Sequence, residues 1–292
     1  MPPVTVHVLG NPAARGGTGD VERVLDQLRA RGRDVELLEA TSPSAAADAV
    51  RDAVAGGSER VLAVGGDGLV RIALQGVAET DVILGLVPQG TGNDFARALG
   101  LLAGSLDDHV ARALDPGVPI DAMRTNHGWV ASVATMGFAG DVTERANGLR
   151  WPRGAQRYTV ATLLQLPRLR TIRATLEIDG VVHDADTTML SIGNTPYFGG
   201  GMKTCPGVTP TDGKLEVVVV GDVGRSTFLR VFPLVFKGGH VRHPEVTVYS
   251  CDEVTVASDD DVLMWADGDE LGPMPVTCTA VRGAVRVAGA VV

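Results

Sequence analysis

Short apolar runs alternate with amphipathic segments through the first third of the chain. Residues 4–10 (VTVHVLG), 34–40 (DVELLEA), 60–66 (RVLAVGG) and 82–90 (VILGLVPQG) have the length and composition of buried strands. Between them, residues 20–32 (DVERVLDQLRARG) space their apolar positions helically, which predicts a helix started by Asp20 and stopped by Gly32. Residues 42–57 predict a second helix, with Ser42 as cap and Pro43 in its first turn. A short helix continues through residues 72–77 and another begins at 93–101. Strand and helix alternating with short links implies parallel strands joined by right-handed crossovers. A ligand is then expected beyond the carboxyl ends of those strands.

The period changes near Asp115-Pro116-Gly117. Residues 129–137, 174–182, 187–194, 214–222 and 253–260 read as strands separated by Gly, Asp, Asn and Pro turns. Helices are expected at residues 155–166 and near 226–236. The fold class is therefore α/β: a Rossmann-like α/β domain, residues 1–118, and a mainly antiparallel β-sandwich domain, residues 119–280. Residues 281–292 form a carboxyl-terminal segment expected to return to the first domain.

Composition narrows the function classes. The 292 residues are 45% hydrophobic, enough for two ordinary cores, and a net charge of -9 argues against a broad nucleic-acid-binding face. Three cysteines, Cys205, Cys251 and Cys278, have neither disulfide-framework nor zinc spacing, and read as reduced thiols of a cytoplasmic protein. The amino terminus lacks a signal-peptide pattern, and no run approaches the roughly 20 apolar residues of a membrane span.

Candidate chemistry begins at VGGDGLVRI, where Gly65, Gly66 and Gly68 flank Asp67 between a strand and a helix. Glycines let backbone N–H groups approach an anion, and the helix adds its positive end. A carboxylate does not itself bind phosphate, so Asp67 either holds a divalent metal or accepts loop N–H groups to fix the turn. A second loop after the next strand, PQGTGNDFARALG, offers Gly90 and Gly92 for close approach, the Thr91 hydroxyl, and Asn93-Asp94 at a helix start. Capping by Asn93 or Asp94, and a solvated Arg97, are the plain alternatives. Two such loops after neighbouring strands place their ligands in one crevice.

GGDG followed about twenty residues later by PQGTGNDFAR resembles the diacylglycerol kinase catalytic-domain family, which includes bacterial lipid kinases and sphingosine kinases and is related to NAD kinases. NPAARGG, VATMGFAGDV, IGNTPYFGGGMKTCPGVTPTDGKLEV and ADGDELG resemble its other blocks in order. The resemblance implies an ATP-dependent lipid kinase using Mg2+. Asn11 falls in its first phosphate loop. Asp67 would serve the nucleotide phosphates or their magnesium, and Gly90, Thr91, Asn93 and Asp94 would form the second nucleotide loop with Arg97 near phosphate. Asp269, which from the residues alone reads with Asp267 and Gly268 as a simple Asp-Gly turn, falls where the family has its proposed general-base carboxylate, and Asp212 matches an aspartate that in bacterial members helps hold a structural magnesium. The acceptor would be a hydroxylated lipid or another small molecule.

Departures from the family pattern concentrate after Asp67. A Thr and an Asn-Glu pair are usual there; this chain has Leu69, Arg71 and Ile72. Leucine and isoleucine supply no polar contacts, while Arg71 offers a cationic fork for phosphate. These changes favour two other readings, a member repurposed for another small molecule and a non-catalytic binding protein; the intact GTGNDFAR and DGDE favour catalysis. Seven arginines at positions 145, 150, 153, 157, 168, 170 and 173, with Trp151 and Tyr158, suggest contact with an anionic membrane, against the plainer reading of a packed helix with solvated arginines. His240 and His243 are expected in a loop, and Met136, Tyr197, Phe198, Phe138 and Met202 in the core, with an acyl groove as the alternative for some. A homodimer is left open.

Overall fold

The structure is a computed structural model that describes residues 5–10, 17–149, 151–152 and 156–292. The chain divides into two compact units, Met1–Ala122 with Arg282–Val292, and Met123–Val281.

Unit 1 is an α/β domain. It runs β1 (Thr5–Gly10), α1 (Gly17–Ala30), β2 (Asp34–Leu38), α2 (Pro43–Ala55), β3 (Arg60–Gly65), α3 (Asp67–Val77), β4 (Ile83–Pro88), α4 (Asp94–Ala98), α5 (Leu106–Arg112) and the start of β5 (Gly117–Thr125). The parallel order is β2-β1-β3-β4. The chain's final strand joins it, pairing Arg286 and Val287 parallel with Ile83 and Leu84. Asp121 holds that return by accepting the Gly283 N–H at 2.8 Å. The apolar stripe Val21, Val24, Leu25 and Leu28 of α1 packs on Val6, Val8, Leu62 and Val64 of the sheet. Ser42 caps α2 by accepting the Ala45 N–H, with Pro43 in the first turn. Helix α1 begins at Gly17 rather than Asp20, which lies in its first turn. Helix α5 was not predicted; a reciprocal Ser105–Asp108 capping box starts it.

Unit 2 packs two antiparallel layers. After β6 (Gly128–Val130) come β7 (Val133–Gly137), α6 (Phe138–Gly148), α7 (Gln156–Gln165), β8 (Ile172–Ile178), β9 (Val181–Thr187) and β10 (Met189–Gly193). A short pair, β11 (Tyr197–Phe198) and β12 (Met202–Lys203), precedes β13 (Leu215–Val220) and α8 (Arg225–Val231). The chain ends with β14 (Val246–Cys251), β15 (Glu253–Ala257), β16 (Leu263–Ala266), β17 (Asp269–Pro273) and β18 (Val276–Ala288). One layer is β14-β13-β10-β7-β16-β17; the other joins β9, β8, β15 and the first residues of β18. Strand β8 alternates strictly, with Ile172, Ala174, Leu176 and Ile178 buried, and these pack against Met136, Leu190, Ile192 and Val217.

Three differences from the sequence expectation stand out. Residues 129–137 are two strands because Ala131 and Ser132 turn their N–H groups to a carboxylate. Residues 174–182 are a hairpin, since Asp179 and Gly180 both take positive φ, 47° and 82°. The helix expected near residues 226–236 is α8 followed by a 3-10 turn, Phe232–Lys237. His240 lies in a second 3-10 turn, Gly239–Arg242, and is buried.

Candidate active site

The two glycine loops of unit 1 touch through their backbones. The β3–β4 register puts Gly65 opposite Pro88, and the Gln89 N–H donates to the Gly65 carbonyl at 2.9 Å. A Cβ on Gly90 would collide with the Cα of Gly66 and come within 2.7 Å of Asn93 Oδ1, so only glycine permits this approach. Asn93, at φ 51°, clamps the second loop: its Oδ1 accepts the Gly90 N–H at 3.0 Å and its Nδ2 donates to the Gly90 carbonyl at 2.8 Å. Thr91 is exposed, Asp94 is buried, and Arg97 Nη2 donates to the Gly92 carbonyl at 3.4 Å.

Asp67 joins the loops. Its Oδ1 accepts the Phe95 N–H at 3.1 Å, at the start of α4. Burial pushes the carboxyl up, against the backbone N–H groups of Phe95, Asp94 and Asn93, which favour the charged form. The carboxylate thus has the surroundings of a hydrogen-bond acceptor that fixes a turn. Leu69 lies over Gly65, where a Cβ would meet its Cδ1. Arg71 is half-buried, and its carbonyl accepts Gln75 Nε2 at 2.8 Å. Asn11 lies outside the described residues. Among the described residues, no group of three or more His, Cys, Asp and Glu side chains could hold a metal ion.

In unit 2 the DGDE segment is a two-residue hairpin turn. Asp267 and Gly268, at φ 51° and 94°, connect the paired residues Ala266 and Asp269, the backbone that Asp-Gly favours. The buried Asp267 accepts the N–H groups of Ala131 and Ser132, each at 2.8 Å. Asn147 Nδ2 of α6 donates to the Gly268 carbonyl at 2.9 Å. Asp269 follows on the exposed start of β17, and its carboxylate has no hydrogen-bond or ion-pair partner among the described residues. A free, exposed carboxylate on a turn fixed from two sides is available to accept a proton. The positioning role of Asn147 was not predicted, because nothing local to the DGDE segment signals it.

Asp212 closes its own loop. Its Oδ2 accepts from the N–H and hydroxyl of Thr209, and its Oδ1 accepts the Lys214 N–H at 2.9 Å. Glu216, whose carboxyl is raised by burial, accepts the Gly207 N–H at 2.8 Å from the same loop. The three cysteines are free and buried, and burial raises their thiols, Cys251 to about 12, so none is set up as a nucleophile.

Unit 2 also holds a cavity of about 80 Å³ with a wholly apolar accessible wall. Phe138, Tyr158, Phe198, Met202, Phe228 and Phe232 line it. Phe138 and Phe228 meet edge to face at 4.8 Å, and Phe228 stacks on Phe232 at 5.7 Å. Phe138, Phe198 and Met202, expected in the core, are thus both buried and cavity-lining. Phe228 and Phe232 were missed; their i, i+4 spacing was the available signal.

Known proteins share both units. Residues 5–124 match the diacylglycerol kinase catalytic domain model, and residues 131–289 match the YegS C-terminal NAD kinase beta sandwich-like domain model. A diacylglycerol kinase of Mycobacterium tuberculosis is 36% identical over 97% of this chain and 94% of its own length. The chain belongs to the diacylglycerol kinase family. A second relative of this kinase family, the diacylglycerol kinase of Bacillus subtilis, is 26% identical over 87% of this chain and 85% of its own. The crystal structure of a diacylglycerol kinase from Bacillus anthracis has the same fold, with a TM-score of 0.72 at 18% identity over 99% of this chain and 97% of that one. The names of its relatives are those of lipid kinases. No helix among its described residues is long and apolar enough to cross a membrane.

Proposed function

We propose that this family member is an ATP-dependent kinase that transfers the γ-phosphoryl group to a hydroxyl of a diacylglycerol-like lipid. The observation that carries the reading is the cavity of unit 2, whose accessible wall is apolar and whose volume of about 80 Å³ takes the end of an acyl chain. In this reading Gly65, Gly66, Gly68, Gly90 and Thr91 present backbone and hydroxyl donors to the phosphates, with Arg71 and Arg97 as the nearby cations. Asp67 and Asn93 hold those loops together, and Asp94 sits at the start of α4. Asp269 accepts the proton of the acceptor hydroxyl as that hydroxyl oxygen attacks the γ-phosphorus and the bond to the β,γ-bridging oxygen breaks to release ADP, while Asp267 and Asn147 fix the turn that carries Asp269. The carboxylates do not fit a resident metal centre, since Asp67 and Asp212 are engaged by N–H groups. Magnesium would then come with the nucleotide as a MgATP substrate and supply positive charge at the phosphates.

One observation favours a second reading. Leu69 covers Gly65 where the usual hydroxyl-bearing residue would face the nucleotide. A member repurposed for a different small molecule, or a non-catalytic binder, accounts for that change. Calorimetric titration with ATP and GTP, with and without Mg2+, separates the readings. The kinase reading expects saturable binding strengthened by Mg2+ and transfer of labelled γ-phosphate to dispersed diacylglycerol. Absence of binding to either nucleotide rejects it.

A further inference from the structure

The helices that wall the cavity turn a second set of apolar side chains outward. On α7, Leu163 and Leu164 are 51% and 47% exposed, while Ala161 and Thr162 are buried. On α8 and the 3-10 turn after it, Leu229, Leu234 and Phe236 are 46%, 47% and 45% exposed, while Phe228, Val231, Phe232 and Val235 line the cavity. The two segments are neighbours. Arg225 Nη2 donates to the Pro167 carbonyl at 2.6 Å, and Ala161, Leu166 and Phe228 share one apolar cluster. Trp151, shortly before α7, is 79% exposed. Large apolar side chains grouped on a surface mark a place of contact.

Charge identifies the partner. Arg168, Arg225, Arg230 and Lys237 are exposed on these same segments, although the whole chain carries a net charge of -9. None of the four makes an ion pair among the described residues. A second copy docking symmetrically would set these cations against one another. An anionic lipid surface takes both the leucines and the cations, with aliphatic side chains entering the headgroup boundary and guanidinium groups meeting phosphate.

We propose that unit 2 docks on anionic bilayers through the outer face of α7, α8 and the Phe232–Lys237 turn. Docking there sets the cavity-lining helices against the reservoir of acyl chains. The inference rests on the lipid-kinase reading only for what enters the cavity; binding itself requires no phosphoryl transfer.

Co-sedimentation of the full chain with vesicles tests it. Wild type should sediment with phosphatidylglycerol-containing vesicles, less with phosphatidylcholine alone, and less as salt rises. Leu234→Asp/Phe236→Asp and, separately, Arg230→Glu/Lys237→Glu should each weaken binding by about ten-fold or more. Both variants should keep the wild-type melting temperature and wild-type turnover of a soluble short-chain diacylglycerol. The proposal is overturned if wild type ignores anionic vesicles, or if both double variants bind as wild type does. It is equally overturned if wild type is a dimer that Leu234→Asp/Phe236→Asp separates without any vesicle binding. Vesicle binding as expected, with no turnover of any lipid, would retain the docking face and reject the kinase reading instead.

Discussion

Each unit carries an aspartate-glycine turn that looks alike in one dimension, GGDG in unit 1 and DGDE in unit 2. In the first, the aspartate is half-buried and accepts the amide that starts α4. In the second, the first aspartate takes that role, holding Ala131 and Ser132, and the next one, Asp269, stands exposed and unpartnered among the described residues. Carboxylates engaged by backbone donors fix geometry; the one left over is the one the proposed mechanism uses as its base. What separates the two turns is the extra acid after the glycine, where unit 1 has Leu69.

The sharpest way to break the comparison is Asp269→Asn. Loss of a general base lowers turnover by roughly 10²–10⁴-fold. Nucleotide affinity and melting temperature should stay near wild type, because the side chain supports no other contact. A variant with normal turnover removes Asp269 from the base role.

A smaller effect, on stability, should follow from Asp267→Ala. It leaves two buried N–H groups unpaired, at about 1–3 kcal/mol each. Asp67→Ala leaves the Phe95 N–H without its acceptor and should cost about 1–2 kcal/mol, as for a lost helix cap. Urea unfolding that ranks Asp67→Ala as the more damaging of the two would contradict the assignment of Asp267 as the tighter clamp.

How far these roles were legible depends on the range of the contacts. The α2 cap, the two glycine loops and the Asp267–Gly268 turn are written in adjacent residues, because φ preference and capping act locally. The capping box of α5 was equally local, at Ser105 and Asp108. Helix α6 was not readable in the same way: it follows β7 with one glycine, Gly137 at φ 72°, and no polar cap. Asn147 reaches Gly268 across 121 positions, and Asp267 reaches Ala131 across 136, separations at which periodicity carries no information. The outward leucines of α7 and α8 are a further case, since composition does not say which side of a helix finds a core.

The least of the expected effects concerns pH and would sharpen the contrast at Asp67. Burial raises its folded-state carboxyl above the unfolded value, so between those two values the folded chain binds the extra proton. Wild type therefore loses stability relative to Asp67→Asn as pH climbs above about 3.8, the ordinary value, and the difference levels off once the folded carboxyl has ionised. The asparagine keeps an oxygen that can accept the Phe95 N–H, so the neutral contact survives the change. Melting temperatures of both proteins at a series of pH values from 4 to 8 measure this directly. A gap that widens in the opposite direction would mean that the surrounding amides outweigh burial, and that Asp67 is held as a full anion.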